Sequence, residues 1–243
     1  MNPQQGHGLR MNTDPSSRTR IKRRLWRAAR RWQFRLFLRH RHNRLVLETV
    51  ADKPLLILPQ VLNPKLFRTG EFLVSALSGA LIPPGSTVLD MGTGSGIGAI
   101  FAAQWATRVV GVDINPAAVR CARINVLLNG LENQVEIHQG DLFRPTAGQQ
   151  FDVVLFNPPF LRGQPRNDLE RALYSMDILE RFAQDLGSHL TSGGHAVVVL
   201  SSDGDVAGCL GALEVEKYDV TLLAQQNLRS EILLAYRVSQ RLG

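Results

Sequence analysis

The sequence predicts an α/β fold, a mostly parallel sheet with helices on both faces, preceded by a basic helical arm. Three observations carry this. Short β-branched apolar runs alternate with stretches of helical periodicity through most of the chain. The first clear junction, TVLDMGTGSGIGAIF from Thr87 to Phe101, passes from a buried strand through glycine at every second position (Gly92, Gly94, Gly96, Gly98) into a helix start. Charge is also partitioned: residues 1–44 carry 13 Lys and Arg against Asp14 alone, a net +12, while residues 45–243 carry a net −5.

The 243 residues suit one α/β domain of about 200 residues plus an appendage. No run approaches the ~18 consecutive apolar residues of a membrane helix, and no secretory signal pattern opens the chain, so a soluble protein is expected. Cys121 and Cys209 stand far apart in apolar helical contexts and read as small core residues. The histidines show no ligand spacing, so no metal site is expected.

In the arm, the first 17 or so residues are rich in Asn, Gln, Gly, Pro and Ser and predict disorder. From Arg18 to Arg44, Ile21, Leu25, Ala28, Trp32 and Leu36 recur at helical spacing among arginines, a basic amphipathic helix. It fits a polyanion contact (nucleic acid, ribosome or anionic membrane), an organelle-targeting segment, or a helix packed on the domain with a solvated arginine face.

Leu45 to Pro59 places two apolar runs around Ala-Asp-Lys-Pro, an entry hairpin to a domain spanning 45–243. In VLNPKLFRTGEFLVSAL, Thr69 reads as an N-cap for a helix from Gly70 to about Ser78, and Phe67, Arg68 and Thr69 by themselves read as capping and packing.

The glycine turn fits two ligand frames. Gly94, Gly96 and Ala99 satisfy the G-x-G-x-x-A of a nicotinamide cofactor site. Asp90, Gly92, Gly94 and Gly96 form acidic-x-Gly-x-Gly-x-Gly, which resembles the first motif of class I S-adenosylmethionine (SAM) methyltransferases. Next, Arg108 to Val112 is a strand ending at Asp113 and Ile114, with Asn115 as cap and Pro116 as first residue of the following helix. At a strand's carboxyl edge Asp113 can accept hydrogen bonds from both ribose hydroxyls, as in NAD and SAM folds alike. Gln134 to His138 is a third strand; after it Asp141 can accept from an adenine amino group while Leu142 or Phe143 packs near the ring. FDVVLFNPPF then ends a buried strand, Asp152 to Phe156, on Asn157, Pro158, Pro159 and Phe160. The prolines remove two N–H groups and leave carbonyls as acceptors, Asn157 adds another, and an aromatic ring stands beside them. Such a pocket suits a flat conjugated group bearing NH2.

Asp90-x-Gly-x-Gly, Asp113, Asp141 and Asn157-Pro-Pro-Phe160 occur in the order seen in class I methyltransferases acting on amide or exocyclic amino nitrogen. VLNPKLFRTGEFL further resembles HemK-type protein-glutamine methyltransferases and their methyltransferase small domain relatives, over about Val61 to Val238. The resemblance implies a Rossmann-like seven-stranded sheet with an antiparallel terminal hairpin, made here by Glu216 to Leu223 and Glu231 to Val238. It implies SAM as cofactor, with Asp90 near its cationic amino-acid end and Phe67, Arg68 and Thr69 closing over that end. Asn157 and Pro158 would accept from the target nitrogen, with Pro159 beside them and Phe160 stacked on the planar group. Two departures stand out: a basic arm and hairpin replace the long N-terminal helical domain of bacterial HemK, and the usual Tyr of Asn-Pro-Pro-Tyr is Phe160, as in related rRNA guanine-N2 enzymes.

The remaining segments agree. Leu179, Phe182, Ala183, Leu186 and Leu190 line a helix that Gly193 and Gly194 would end; His195 to Ser201 is a fifth strand and Val206 to Leu213 a short helix. Leu161 to Arg171, with Arg162, Arg166 and Arg171, is the candidate substrate loop. The chain therefore reads as a cytoplasmic SAM-dependent N-methyltransferase of a macromolecule, either a protein glutamine or a nucleic-acid base. A small-molecule N-methyltransferase, an NAD enzyme and a nucleotide-binding module are the alternatives.

Overall fold

The computed structural model describes residues 44–229 and 231–241; the tail and basic helix expected over residues 1–44 lie outside them but for Arg44. β1 (Val46–Val50) and β2 (Lys53–Ile57) form the entry hairpin, antiparallel around a turn at Ala51 with φ 49°. Two helices follow, α1 (Pro64–Phe67) and α2 (Thr69–Ala76). Here the N-cap expectation is corrected. Asn63 caps α1, accepting from the Lys65 N–H at 2.9 Å, and Arg68, at φ 54°, links the two helices while its N–H donates to the Pro64 carbonyl. Thr69 is thus already the first residue of α2, and its hydroxyl is free for another partner.

Then come β3 (Thr87–Met91), α3 (Ile97–Ala102), β4 (Arg108–Asp113), α4 (Pro116–Leu128), β5 (Val135–Gln139) and β6 (Phe151–Phe156). Asn115 caps α4 as expected, accepting from Ala117 N–H at 2.8 Å. A small parallel pair, β7 (Leu161–Arg162) and β8 (Tyr174–Ser175), flanks α5 (Asp168–Arg171). α6 (Ile178–Leu186), β9 (Leu190–Ser201), α7 (Val206–Val215), β10 (Tyr218–Asn227) and β11 (Ile232–Gln240) complete the described chain.

The seven-stranded sheet has the order β10-β11-β9-β6-β3-β4-β5. β9, β6, β3, β4 and β5 pair in parallel, and β11 runs antiparallel to both β9 and β10, which is the expected terminal hairpin. Alternation along each strand divides the core between two faces. Val88, Val109, Val153 and Val197 point to the side of α2, α3 and α4; Leu89, Val110, Val154 and Val198 point to the side of α6 and α7. Cys121 and Cys209 are free and buried in these layers, as read from the sequence.

α6 ends earlier than expected, at Leu186, and Gly193 and Gly194 belong to β9. They make an irregularity in its pairing with β6. Gly193 has φ 84°, and a Cβ on Gly194 would come within 2.9 Å of the Phe151 carbonyl. No helix among the described residues is long and apolar enough to cross a membrane.

Candidate active site

A cavity opens at the carboxyl ends of β3, β4, β5 and β6. From β3 the sheet builds one way through β4 to β5 and the other way through β6 to β9, and a ligand crevice forms where that order reverses. Its floor is the glycine loop. Gly92 and Gly94, at φ 66° and 56°, present bare backbone to the cavity in a conformation that side chains rarely adopt. Gly96 differs from expectation: it is outside the lining, and a Cβ there would come within 3.1 Å of Ala122 on α4. The glycine there serves close packing of the helix start against α4. Gly98, which the motif reading left without a role, leaves room for the Asp90 carboxylate, which a Cβ there would overlap.

Asp90 is buried, its Oδ2 accepting from Thr93 Oγ1 at 2.6 Å and from the Ala99 N–H at 2.8 Å. Burial, with the Asp113 charge adding to it, pushes its carboxyl up to about 6. Asp113 is also raised by desolvation, although Oδ2 accepts from Gly94 N–H at 2.8 Å and Oδ1 from Asn115 N–H at 2.9 Å. Two desolvated carboxylates on one cavity wall favour a cation and repel a pyrophosphate. SAM, with its ammonium and sulfonium charges, fits these residues. Asp113 keeps acceptor capacity for ribose hydroxyls beyond the two N–H groups that orient it.

Beyond Asp113, Ile114, Asp141 and Leu142 all line the cavity. Leu142 is buried at φ 48° and Ile114 is 41% exposed, so two apolar side chains are available to a flat ring. Asp141 is tied by one oxygen to Arg181 of α6, a partner that sequence reasoning missed.

Asn157, Pro158, Pro159 and Phe160 follow β6 directly and line the cavity together with Phe67 and Thr69. Asn157 Nδ2 donates to Thr69 Oγ1 at 3.0 Å. Arg68 is corrected: it is exposed and outside the lining, because its left-handed backbone turns it away between Phe67 and Thr69. In the candidate substrate loop Arg171 lines the cavity, whereas Arg162 is committed to Glu180 and Asp205, each at 2.9 Å. Gly204 backs onto the Phe160 carbonyl so closely that a Cβ would clash with it.

The entry hairpin leads into a further wall formed by Gln60, Val61 and Leu62. α4 holds it by side chains acting on backbone. Asn125 accepts from the Leu56 N–H at 2.6 Å and donates to the carbonyls of Leu56 and Ser95, Asn129 donates to Pro54, and Asn115 donates to Gln60. The fully buried Asn125 thereby joins hairpin and glycine loop. Among the described residues no group of three or more His, Cys, Asp or Glu is placed to hold a metal ion.

The family model described as "Methyltransferase small domain" matches residues 64–227. A release factor glutamine methyltransferase of Moorella thermoacetica is 30% identical over 201 residues, 74% of this chain and 69% of its own length. A ribosomal RNA small subunit methyltransferase C of Alcanivorax borkumensis is 32% identical over 150 residues, 61% of this chain but only 42% of its own length. Among solved structures, a T. thermophilus 16S rRNA N2 methyltransferase in complex with AdoMet and guanosine shares the fold, with TM-score 0.62 and 21% identity over 82% of this chain and 50% of that one. The chain belongs to the methyltransferase small domain family and is a SAM-dependent methyltransferase.

Proposed function

We propose that the protein methylates a planar amide or amino nitrogen on a macromolecule, a protein glutamine or a nucleic-acid base, in the cytoplasm. The observation that supports this most is the way Asn157 is held: with Nδ2 engaged by Thr69, the amide offers Oδ1 to an incoming N–H. The carbonyl of Pro158 supplies a second acceptor on the same loop, since neither Pro158 nor Pro159 has an N–H to join a ladder.

SAM, when bound, supplies an electrophilic methyl group on a sulfonium. Asp90 would take its cationic amino-acid end, Asp113 the ribose, and Ile114, Asp141 and Leu142 the adenine, while Phe67 lines the wall near the acceptor. An amide or aniline-type nitrogen has a delocalised lone pair and is a poor nucleophile. Asn157 Oδ1 and the Pro158 carbonyl hold its two hydrogens, aim the lone pair, and stabilise the positive charge that grows on nitrogen. The proton turns acidic only as the new bond forms, so no strong base is needed. Phe160 stacks on the planar group. Asn157→Ala is expected to lose turnover far more than SAM affinity.

The test is incubation with radiolabelled SAM and whole-cell lysate, followed by protease or nuclease on separate samples. Label released by protease alone identifies a protein, and by nuclease alone a nucleic acid. Label confined to small molecules would overturn the macromolecular reading.

A further inference from the structure

We infer that Thr69 is a positioning residue for methyl transfer, its hydroxyl anchoring the Asn157 side chain where its amide meets the acceptor nitrogen. The inference rests on the role given to Asn157 above and moves Thr69 from the SAM end of the cleft to the acceptor end.

A primary amide has two ends of nearly equal shape and opposite hydrogen-bonding sense. Turned over, Asn157 would set its NH2 against the NH2 it has to receive, donor against donor. The Thr69 hydroxyl, which donates as well as accepts, holds the amide in place by one end, and the incoming NH2, a donor, selects the orientation that presents Oδ1. Thr69 Oγ1 accepts from Asn157 Nδ2 at 3.0 Å across 88 positions of sequence, and Thr69 is only 6% exposed, so water cannot easily replace it. The local fold explains why the hydroxyl is available. A threonine deeper in a helix can turn its hydroxyl onto a carbonyl of the preceding turn. Thr69 is the first residue of α2, after Arg68 has broken the path from α1 at φ 54°, so no helical turn lies beneath it. Gly70 lets this junction close, since a Cβ there would already lie within 3.2 Å of Pro64.

The experiment compares Thr69→Val, which keeps the shape and removes the hydroxyl, with Thr69→Ser, which keeps the hydroxyl. With the methyl-accepting pool of the wild-type enzyme as substrate, Thr69→Val is expected to lower kcat about 10- to 100-fold while the SAM Kd moves less than about threefold, and Thr69→Ser to restore most of the rate. Added to Asn157→Ala, Thr69→Val should cost nothing more, because its effect passes through the missing amide. Full activity of Thr69→Val, or a further loss of equal size in the Asn157→Ala background, would overturn the inference. A second readout needs no substrate. The Asn157 side-chain NH2 resonance, identified by its loss in Asn157→Ala, should exchange slowly with water in the wild type and rapidly in Thr69→Val. Rapid exchange in the wild-type protein would refute the contact even if Thr69→Val does not fold. If the wild type methylates nothing, the proposed function fails, while this resonance still judges Thr69.

Discussion

Arg181, midway along α6, grips Asp141, which lines the cavity, by a 2.5 Å ion pair. Asp141 has one oxygen so restrained and the other left for an exocyclic amino group, which makes the pair a preset rather than a competitor for the ligand. Arg181→Ala is expected to weaken SAM about three- to tenfold, a modest loss because the arginine side chain is 39% exposed. Calorimetry with SAM and S-adenosylhomocysteine checks it. Unchanged affinities for both would show that Asp141 needs no such restraint.

Two buried groups titrate in opposition. Asp90 is raised to about 6 by burial, so the ligand-free fold binds its proton more tightly than the unfolded chain does. Its contribution is fullest below pH 3.8 and is lost as pH rises through 6, a cost of about 3 kcal/mol at neutral pH. His195 is the reverse: burial, aided by Arg237, holds it down at about 4, and its Nε2 has no partner among the described residues. Its contribution is present above pH 6.5 and is lost as pH falls through 4. The slopes cancel in the wild type. Asp90→Asn should gain stability at pH 7 and lose it steeply on acidification, whereas His195→Leu, left with Asp90 alone, should gain stability as pH falls from 6 towards 4. SAM affinity should fall about tenfold per pH unit below Asp90's pKa, since its cation needs the ionised carboxyl. Denaturant titrations and SAM binding across this pH range measure both, and parallel stability profiles in wild type and Asp90→Asn would refute the shift.

The legible parts of this chain were those written in local pattern. β3, β4, β5 and β6 follow from β-branched runs, and α4 from Asn115-Pro116 at its start and Gly130 beyond its end. Their carboxyl ends carry Asp90, Asp113, Asp141 and Asn157, all of which line the one cavity. What escaped depends on distance. Arg181 lies on the polar side of an amphipathic helix, and nothing in its own neighbourhood separates it from a solvated arginine. Asn125 likewise resembles a surface residue until the hairpin closes over it. Thr69 was misjudged because Pro64–Phe67 is a helix of four residues, too short to show a period.

The basic arm is expected to carry any attraction to polyanions, since residues 18–44 hold 12 Lys and Arg while the following domain is net negative. Each phosphate contact adds about −0.9 to the slope of log affinity against log salt on duplex DNA, and about −0.7 on a single strand. Deleting residues 1–44 should leave SAM binding intact, weaken binding to RNA or anionic vesicles, and flatten its salt dependence. Equal affinities before and after deletion would leave the arm as a packing or targeting segment.

The sharpest separation of cofactor binding from folding is expected at Gly98. In an ordinary helix, Gly→Ala stabilises by up to about 1 kcal/mol. Here the added methyl would enter the space of the Asp90 carboxylate, which already accepts from Thr93 and from the Ala99 N–H one residue beyond. The carboxylate is the more movable partner, because the glycine lies in the first turn of α3, packed between β3 and α4. Gly98→Ala should therefore fold, with Asp90 displaced, and lose SAM affinity by about tenfold or more. In an Asp90→Ala background the collision is gone, and the same change should become neutral or stabilising in thermal melts while SAM affinity moves no further. Undiminished SAM binding by Gly98→Ala alone would show that the Asp90 carboxylate can shift without consequence, and its assignment to the cationic end of SAM would have to be withdrawn.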